Sequence, residues 1–293
     1  MRGAKPERAI AALVEGQLDL QPQSTVVVAC SGGPDSVALA ELTVAAASRR
    51  DARVVLAHVN HGVRPSSDQD EFVVVSVAMR LNCAVRIARC VAERGDEAHL
   101  RELRYAALVE IARDCGATAI VTAHTAEDQT ETVLLALFRG TGLEGIAGMP
   151  PRRAIEPGID LVRPLLRVTH EQLRAEILRE ALPYALDPTN EATVYRRNAL
   201  RAVLGELRRE FPHLDASIAR CSEIVRDELA GSRLAERRRA IRDRLRGAGE
   251  LADVPFERIE AAVRAFERNS RARVFLKQGV EITGNDVIVR RSD

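Results

Sequence analysis

At 293 residues, with 46% hydrophobic and 29% charged content, the chain has the composition of a globular core domain with room for an appendage. No apolar run approaches a membrane span and the N-terminus has no apolar signal core, so a cytoplasmic protein with no membrane partner is expected. The formal net charge of +1 leaves nucleic-acid binding open, because distribution matters more than the sum; the five scattered cysteines, with no Cys-x-x-Cys pair, argue against a zinc ribbon, a paired-cysteine iron–sulfur site and sulfur transfer.

The apolar, β-branched run from Thr25 reads as a buried strand. It stops at Ser31, Gly32 and Gly33, and a helix-compatible stretch follows from Val37 to Ala47. Paired glycines there let backbone N–H groups approach a phosphate, and a helix N-terminus adds a favourable dipole. Ser31 and Ser36 offer hydroxyls, and Asp35 offers a hard oxygen for Mg²⁺. The Gly-Lys-Ser/Thr ending of a Walker loop is missing, as is the three-glycine Rossmann spacing. The run Ser31, Gly32, Gly33, Pro34, Asp35 and Ser36 therefore reads as a cradle for the pyrophosphate of ATP, or else as a strand-to-helix turn that uses Gly and Ser for geometry alone.

Further strands are expected at Arg53 to Val59, Ala84 to Arg89 and Ala119 to Ala123, with helices at Asp68 to Leu81, Glu97 to Cys115 and Glu127 to Phe138. This rhythm predicts an α/β fold: a Rossmann-like parallel sheet with helices on both faces, binding ligands at the carboxyl ends of its strands. The informative residues cluster at those ends: Ser31 to Ser36, His58 to Arg64, and His124 to Glu131. His58 and His61 read as a polar turn or a functional pair, and their spacing discards a helical zinc site. In the cluster after the fourth strand, a helix starting near Thr125 puts Asp128 and Glu131 on one face. Carboxylates are favoured in a first helical turn in any case; here they also offer a general base and a second Mg²⁺ ligand.

Gly140 to Pro157, rich in Gly and Pro, reads as a loop or crossover, Leu161 to Leu166 as a further strand and Thr169 to Ala181 as a helix. From Tyr195 to about Arg246 the sequence is helical in character, broken at Phe211 and Pro212. Val194 to Arg246 holds 14 Arg against 8 Asp plus Glu, either a solvated helical face or a nucleic-acid surface. A small α+β tail follows, with a helix from Phe256 to Phe266 and weak strands at Arg273 to Leu276 and Val287 to Val289. The expected division is a catalytic domain over 1–210 and a helical, small C-terminal domain over 211–293.

The six residues Ser31 to Ser36 resemble the Ser-Gly-Gly-x-Asp-Ser loop of the PP-loop ATP pyrophosphatases. A closer resemblance, to the bacterial tRNA(Ile)-lysidine synthetases, runs collinearly from about Val26 to Pro212. It rests on His58-x-Asn60-His61-Gly62, Arg101-x-x-Arg104-Tyr105, the run from His124 through Asp128, Gln129 and Glu131 into Arg139 to Leu143, Arg163 to Leu166, Asp187 to Asn190, and Arg197-Asn198-x-x-Arg201. Thr125, Glu127, Ala199 and Ala202 depart from the family pattern, and the tail is too short for both C-terminal domains of longer members.

The resemblance implies adenylation of the wobble cytidine O2 in a CAU-anticodon tRNA(Ile), then attack of the ε-amine of free L-lysine on C2 with loss of AMP. ATP and Mg²⁺ are the implied cofactors and a homodimer is a possible assembly. Ser31, Gly32, Gly33, Pro34 and Ser36 would hold the nucleotide, with Asp35 on Mg²⁺. Asp128 would act as base or second Mg²⁺ ligand, and Glu131 and Arg104 would hold lysine or cytosine. His124 would contact the base or a phosphate, and Arg101, Arg197 and Arg201 would contact the tRNA. A tRNA thiolase using the same adenylation, or a nucleotide-binding regulator without catalysis, are the alternatives.

Overall fold

The computed structural model describes residues 6–60, 67–90, 97–185, 196–252, 254–269, 271–283 and 287–289. Two compact units divide after Cys221. In the first, a helix α1 (Pro6–Leu18) precedes strand β1 (Thr25–Ala29). Then α2 (Pro34–Ser48), β2 (Arg53–Asn60), α3 (Ser67–Arg80), β3 (Ala84–Arg89), α4 (Glu97–Asp114) and β4 (Ala119–Val121) alternate along the chain. Helices α5 (Ala126–Phe138) and α6 (Leu143–Ile146), strands β5 (Arg152–Glu156) and β6 (Ile159–Val162), and helices α7 (His170–Glu180) and α8 (Arg196–Glu210) follow. Helix α9 (Leu214–Leu229) straddles the division.

The sheet order is β3-β2-β1-β4-β6-β5, parallel except for β5, which pairs antiparallel with β6. Both faces are covered, and β1 shows why its sequence is a run of valines. Val26 and Val28 face a core built with α1, α2, α3 and α7, while Val27 faces a second core built with α4. A strand buried on both faces has no polar side to alternate with. Because β2 and β4 flank β1 on opposite sides, the connections diverge at β1, and a crevice is expected at the carboxyl ends of β1 and β4. Among the described residues no helix is long and apolar enough to cross a membrane.

Two expectations need correction. Gly140 to Pro157 is not wholly a loop: it contains α6 and the antiparallel edge strand β5. The helical stretch beyond Tyr195 breaks a second time at Ala230 to Ser232, where Gly231 takes φ +58°, so α10 (Arg233–Gly247) is separate from α9.

The second unit packs α10 and α11 (Phe256–Arg268) with an antiparallel sheet of β7 (Arg273–Lys277), β8 (Val280–Thr283) and β9 (Val287–Val289), one strand more than the tail suggested. Its core joins Ile241, Leu245, Val263, Leu276 and Ile282. Beneath it Arg238, 5% exposed, holds Glu260 and Asp227.

Candidate active site

The loop after β1 is built by its own hydroxyls and by one obligatory glycine. Gly32 sits at φ +90°, and a Cβ there would stand 3.2 Å from the Asp70 carbonyl oxygen, so any side chain is both strained and crowded. Buried Ser36 accepts from the Ser31 N–H at 3.1 Å and donates to the Gly33 carbonyl at 2.9 Å. Its hydroxyl thus pins the loop, while the Ser31 side chain stays exposed. Helix α2 opens with Gly33 as N-cap and Pro34 behind it, with no side-chain cap. Its first-turn amides are therefore left for an outside acceptor.

Asp35, in that first turn, meets a residue that the sequence did not single out. Nδ1 of His170 lies 2.8 Å from Asp35 Oδ2. Burial alone would lower the His170 pKa, but the hydrogen bond and charge of Asp35, with Glu127 and Asp128 nearby, raise it to about 8. His170 is the first residue of α7, whose N-cap Thr169 forms a capping box with Gln172. The backbone N–H of His170 donates to Glu127 Oε1 at 3.0 Å. Glu127 is buried, and its Oε2 has no hydrogen-bond partner among the described residues.

Helix α5 starts where the sequence places it. Thr125 is the N-cap, its N–H donating to Asp128 Oδ2 at 3.0 Å while the Asp128 N–H donates to Thr125 Oγ1 at 3.5 Å. That capping box fixes Asp128 and leaves its Oδ1 facing the Arg201 Nη2 at 3.9 Å. One turn on, Glu131 is 2% exposed and accepts from Arg201 Nε at 2.6 Å. Arg201, expected on tRNA, is thus aimed at the acidic pair of α5. Arg197 lies on the same helix, with its side chain outside the described residues.

Basic residues are contributed by α4 and by the segment after β6. The guanidinium of Arg101 lies 5.1 Å and that of Arg104 5.9 Å from the Tyr105 ring centre, and Arg101 Nη2 donates to the Tyr105 hydroxyl at 3.4 Å. Arg101 is thereby placed on Tyr105, whereas Glu97, the partner that a solvated helix face would give it, has its side chain outside the described residues. Arg163, just past β6, is 3% exposed and donates to the Pro150 carbonyl at 2.9 Å. Burial pulls its pKa below the usual guanidinium range, against the favourable Tyr105 hydroxyl.

His124 senses both groups of charges, and its Nδ1 lies 2.9 Å from Thr122 Oγ1. Burial lowers its pKa to about 3, with Asp128 opposing and the arginines at 163, 101 and 104 assisting. It is a neutral imidazole at physiological pH.

Other candidates separate. His58 is buried with Nδ1 2.9 Å from the Cys30 carbonyl oxygen, a satisfied strand-end histidine. His61 to Arg64 and Asp187 to Asn190 lie outside the described residues. No group of three or more His, Cys, Asp or Glu suited to a metal occurs among the described residues. Mg²⁺ held with a nucleotide needs only one or two carboxylates beside the phosphates, and Asp35 meets that requirement. Sequence reasoning missed His170 and passed over Arg163 as one member of a motif. The usable signal for His170 was a cation at the first position of a helix that opens with a Thr-x-x-Gln cap.

The PP-loop domain family matches residues 4–207. A tRNA(Ile)-lysidine synthase of Salinispora arenicola is 42% identical over 78% of this chain and 70% of its own length. Those of Ralstonia nicotianae and Thermus thermophilus are 37% and 42% identical over 92% and 75% of this chain. The chain spans about 60% and 43% of the length of these two relatives. Among solved structures, the U34-tRNA thiolase NcsA from Methanococcus maripaludis, with its 4Fe–4S cluster, superposes with a TM-score of 0.64. That match covers 74% of this chain and 77% of the thiolase at 15% identity, a likeness of fold alone.

Proposed function

The chain belongs to the tRNA(Ile)-lysidine synthases of the PP-loop family, and we propose that it joins free lysine to the wobble cytidine of a CAU-anticodon tRNA at the expense of ATP. The observation that carries this reading is the gathering of acidic and basic side chains around His124 and the loop after β1. The acidic side (Asp35, Asp128, Glu131) suits a metal-bound nucleotide and an amine, and the basic side (Arg101, Arg104, Arg163) suits a carboxylate or a phosphate.

In the first half-reaction the cytosine O2 attacks the α-phosphorus of ATP. The loop Ser31 to Ser36 would hold the pyrophosphate against the uncapped amides of α2. Asp35 would be the ligand for Mg²⁺, which offsets the charge gathering on the leaving group. A wobble base in a single-stranded loop leaves its stack at little cost.

The second half-reaction needs a neutral amine. A free lysine amine has a pKa of ~10.4, so deprotonation at neutral pH costs roughly 4–5 kcal/mol. Asp128 is the candidate to take that proton, because the capping box holds it still with one oxygen facing outward. Glu131 would bind an amine of lysine with Arg201 setting its orientation, and Arg104 would take the carboxylate. His124, neutral and hydrogen-bonded to Thr122, would offer a donor or acceptor to the base edge without adding charge.

The test is incubation of the full chain with labelled lysine, ATP, Mg²⁺ and a CAU-anticodon tRNA(Ile) transcript. Label in the tRNA, with release of AMP and pyrophosphate, is expected. Pyrophosphate release without label transfer would overturn the assignment and favour another nucleophile, such as sulfur.

A further inference from the structure

His170 is aimed at Asp35 by two separate elements. The Thr169–Gln172 capping box fixes the start of α7, and the buried carboxylate of Glu127 in α5 receives the His170 backbone N–H at 3.0 Å. An imidazole brought within 2.8 Å of Asp35 by so much local structure has more to do than decorate a surface. The ring keeps 40% of its side-chain exposure, so it is not a packing element. Glu127 keeps a second, buried oxygen with no hydrogen-bond partner among the described residues, so the supporting network has unused hydrogen-bonding capacity.

The pairing also poses a chemical problem. Asp35 belongs to the uncapped first turn of α2, where a polyanion is expected. A polyanion bound at that turn would offer the imidazole oxygen acceptors as an alternative to Asp35.

We propose that His170 is a phosphate-binding residue of the adenylation half-reaction, exchanging the Asp35 carboxylate for the pyrophosphate moiety of ATP. The inference rests on the synthase reading for its reaction but not for its binding event. The bond from the α-phosphorus to its bridging oxygen breaks as the new bond to cytosine O2 forms. The electron pair leaves with pyrophosphate, and His170 donates a hydrogen bond to that anion without transferring a proton. Charge-assisted hydrogen bonds of this kind strengthen as charge develops on the acceptor.

Calorimetric titration of the full chain with inorganic pyrophosphate and Mg²⁺ tests this, with AMP as a control ligand. His170→Ala should weaken pyrophosphate binding about tenfold or more, the size of one missing hydrogen bond to a charged group, and leave AMP affinity unchanged. His170→Gln, which keeps an N–H donor, should recover part of that deficit. In an Asp35→Asn background, His170→Ala should still weaken pyrophosphate binding to a similar extent. Unchanged pyrophosphate affinity in His170→Ala, or no further loss when it is added to Asp35→Asn, would overturn the proposal and leave His170 as a positioning residue for Asp35. The two readings fail separately. Lysidine made at the normal rate by His170→Ala sinks the phosphate role alone. A wild-type chain that binds pyrophosphate through His170 but makes no lysidine sinks the synthase reading alone.

Discussion

One carboxylate of Asp128 is divided between two tasks. Its Oδ2 closes the capping box of α5 and its Oδ1 lies 3.9 Å from Arg201 Nη2. An amide oxygen can still accept the Thr125 N–H, so Asp128→Asn should fold normally and lose only the charged function. If Asp128 takes the lysine proton, the variant should still form adenylated tRNA and transfer lysine ~10²–10⁴-fold more slowly, with partial recovery as pH rises. If it ligates Mg²⁺, both half-reactions should fail together, which trapping the intermediate without lysine would reveal. His124 makes a separate prediction about stability. Its pKa of about 3 in the folded chain lies below the ordinary 6.5, so the unfolded chain takes up the proton first as pH falls. The stability it supports is complete above pH 6.5 and declines toward pH 3. His124→Gln, which keeps a hydrogen-bonding group for Thr122, should lose less stability than wild type between pH 7 and 4 in urea unfolding. Parallel losses would place the acid sensitivity in the carboxylates instead.

The elements show which parts of the architecture a single sequence can carry. The parallel core strands were legible because burial on both faces forces a run such as Val26 to Val28, and α5 because Thr125 and Asp128 spell a cap. Edge strand β5 was not legible: Arg152, Arg153 and Ala154 are exposed, so the strand carries no hydrophobic alternation, and the neighbouring Gly and Pro dominate its local signal. The site was legible wherever one segment holds both partners, as in Ser31 to Ser36 or Thr125 to Glu131. It was illegible wherever the partner arrives from another element, as with His170 on Asp35 and Arg201 on Glu131. The latter contact joins α8 to α5 and should be energetically real, because Glu131 is nearly inaccessible whereas Arg201 keeps 38% exposure. A double-mutant cycle with Arg201→Met and Glu131→Gln should give a coupling of about 1–2 kcal/mol. The exposed pair Arg209–Glu206 within α8 should give less than about 0.5 kcal/mol. Equal couplings would mean that the α5–α8 contact is no more than a surface pair.

Over the whole molecule the net charge of +1 conceals an uneven division. Residues 222–293 hold 16 basic and 13 acidic side chains, and residues 1–221 hold 27 and 29. Even so, the arginine excess is not all available to a nucleic acid. In α10, Arg237, Arg238, Arg239 and Arg246 are engaged with Glu267, Asp227 and Glu260, Glu228 and Asp243. Arg201 is engaged with Glu131. Counting arginines therefore overstates the number of phosphates the protein can grip, and if the chain binds tRNA as proposed, the salt dependence of that binding corrects the count. Each phosphate neutralised contributes about 0.7–0.9 to the slope of log affinity against log salt. If Arg197 grips a phosphate, Arg197→Ala should lower that slope by close to one phosphate's share and leave ATP binding intact. If Glu131 binds lysine, Arg201→Ala should instead raise the KM for lysine, because it unbalances Glu131, and change the slope little. Filter-binding titrations at several salt concentrations separate the two arginines. A slope that falls by one whole phosphate's share in Arg201→Ala would show that its guanidinium leaves Glu131 for the tRNA backbone when the complex forms.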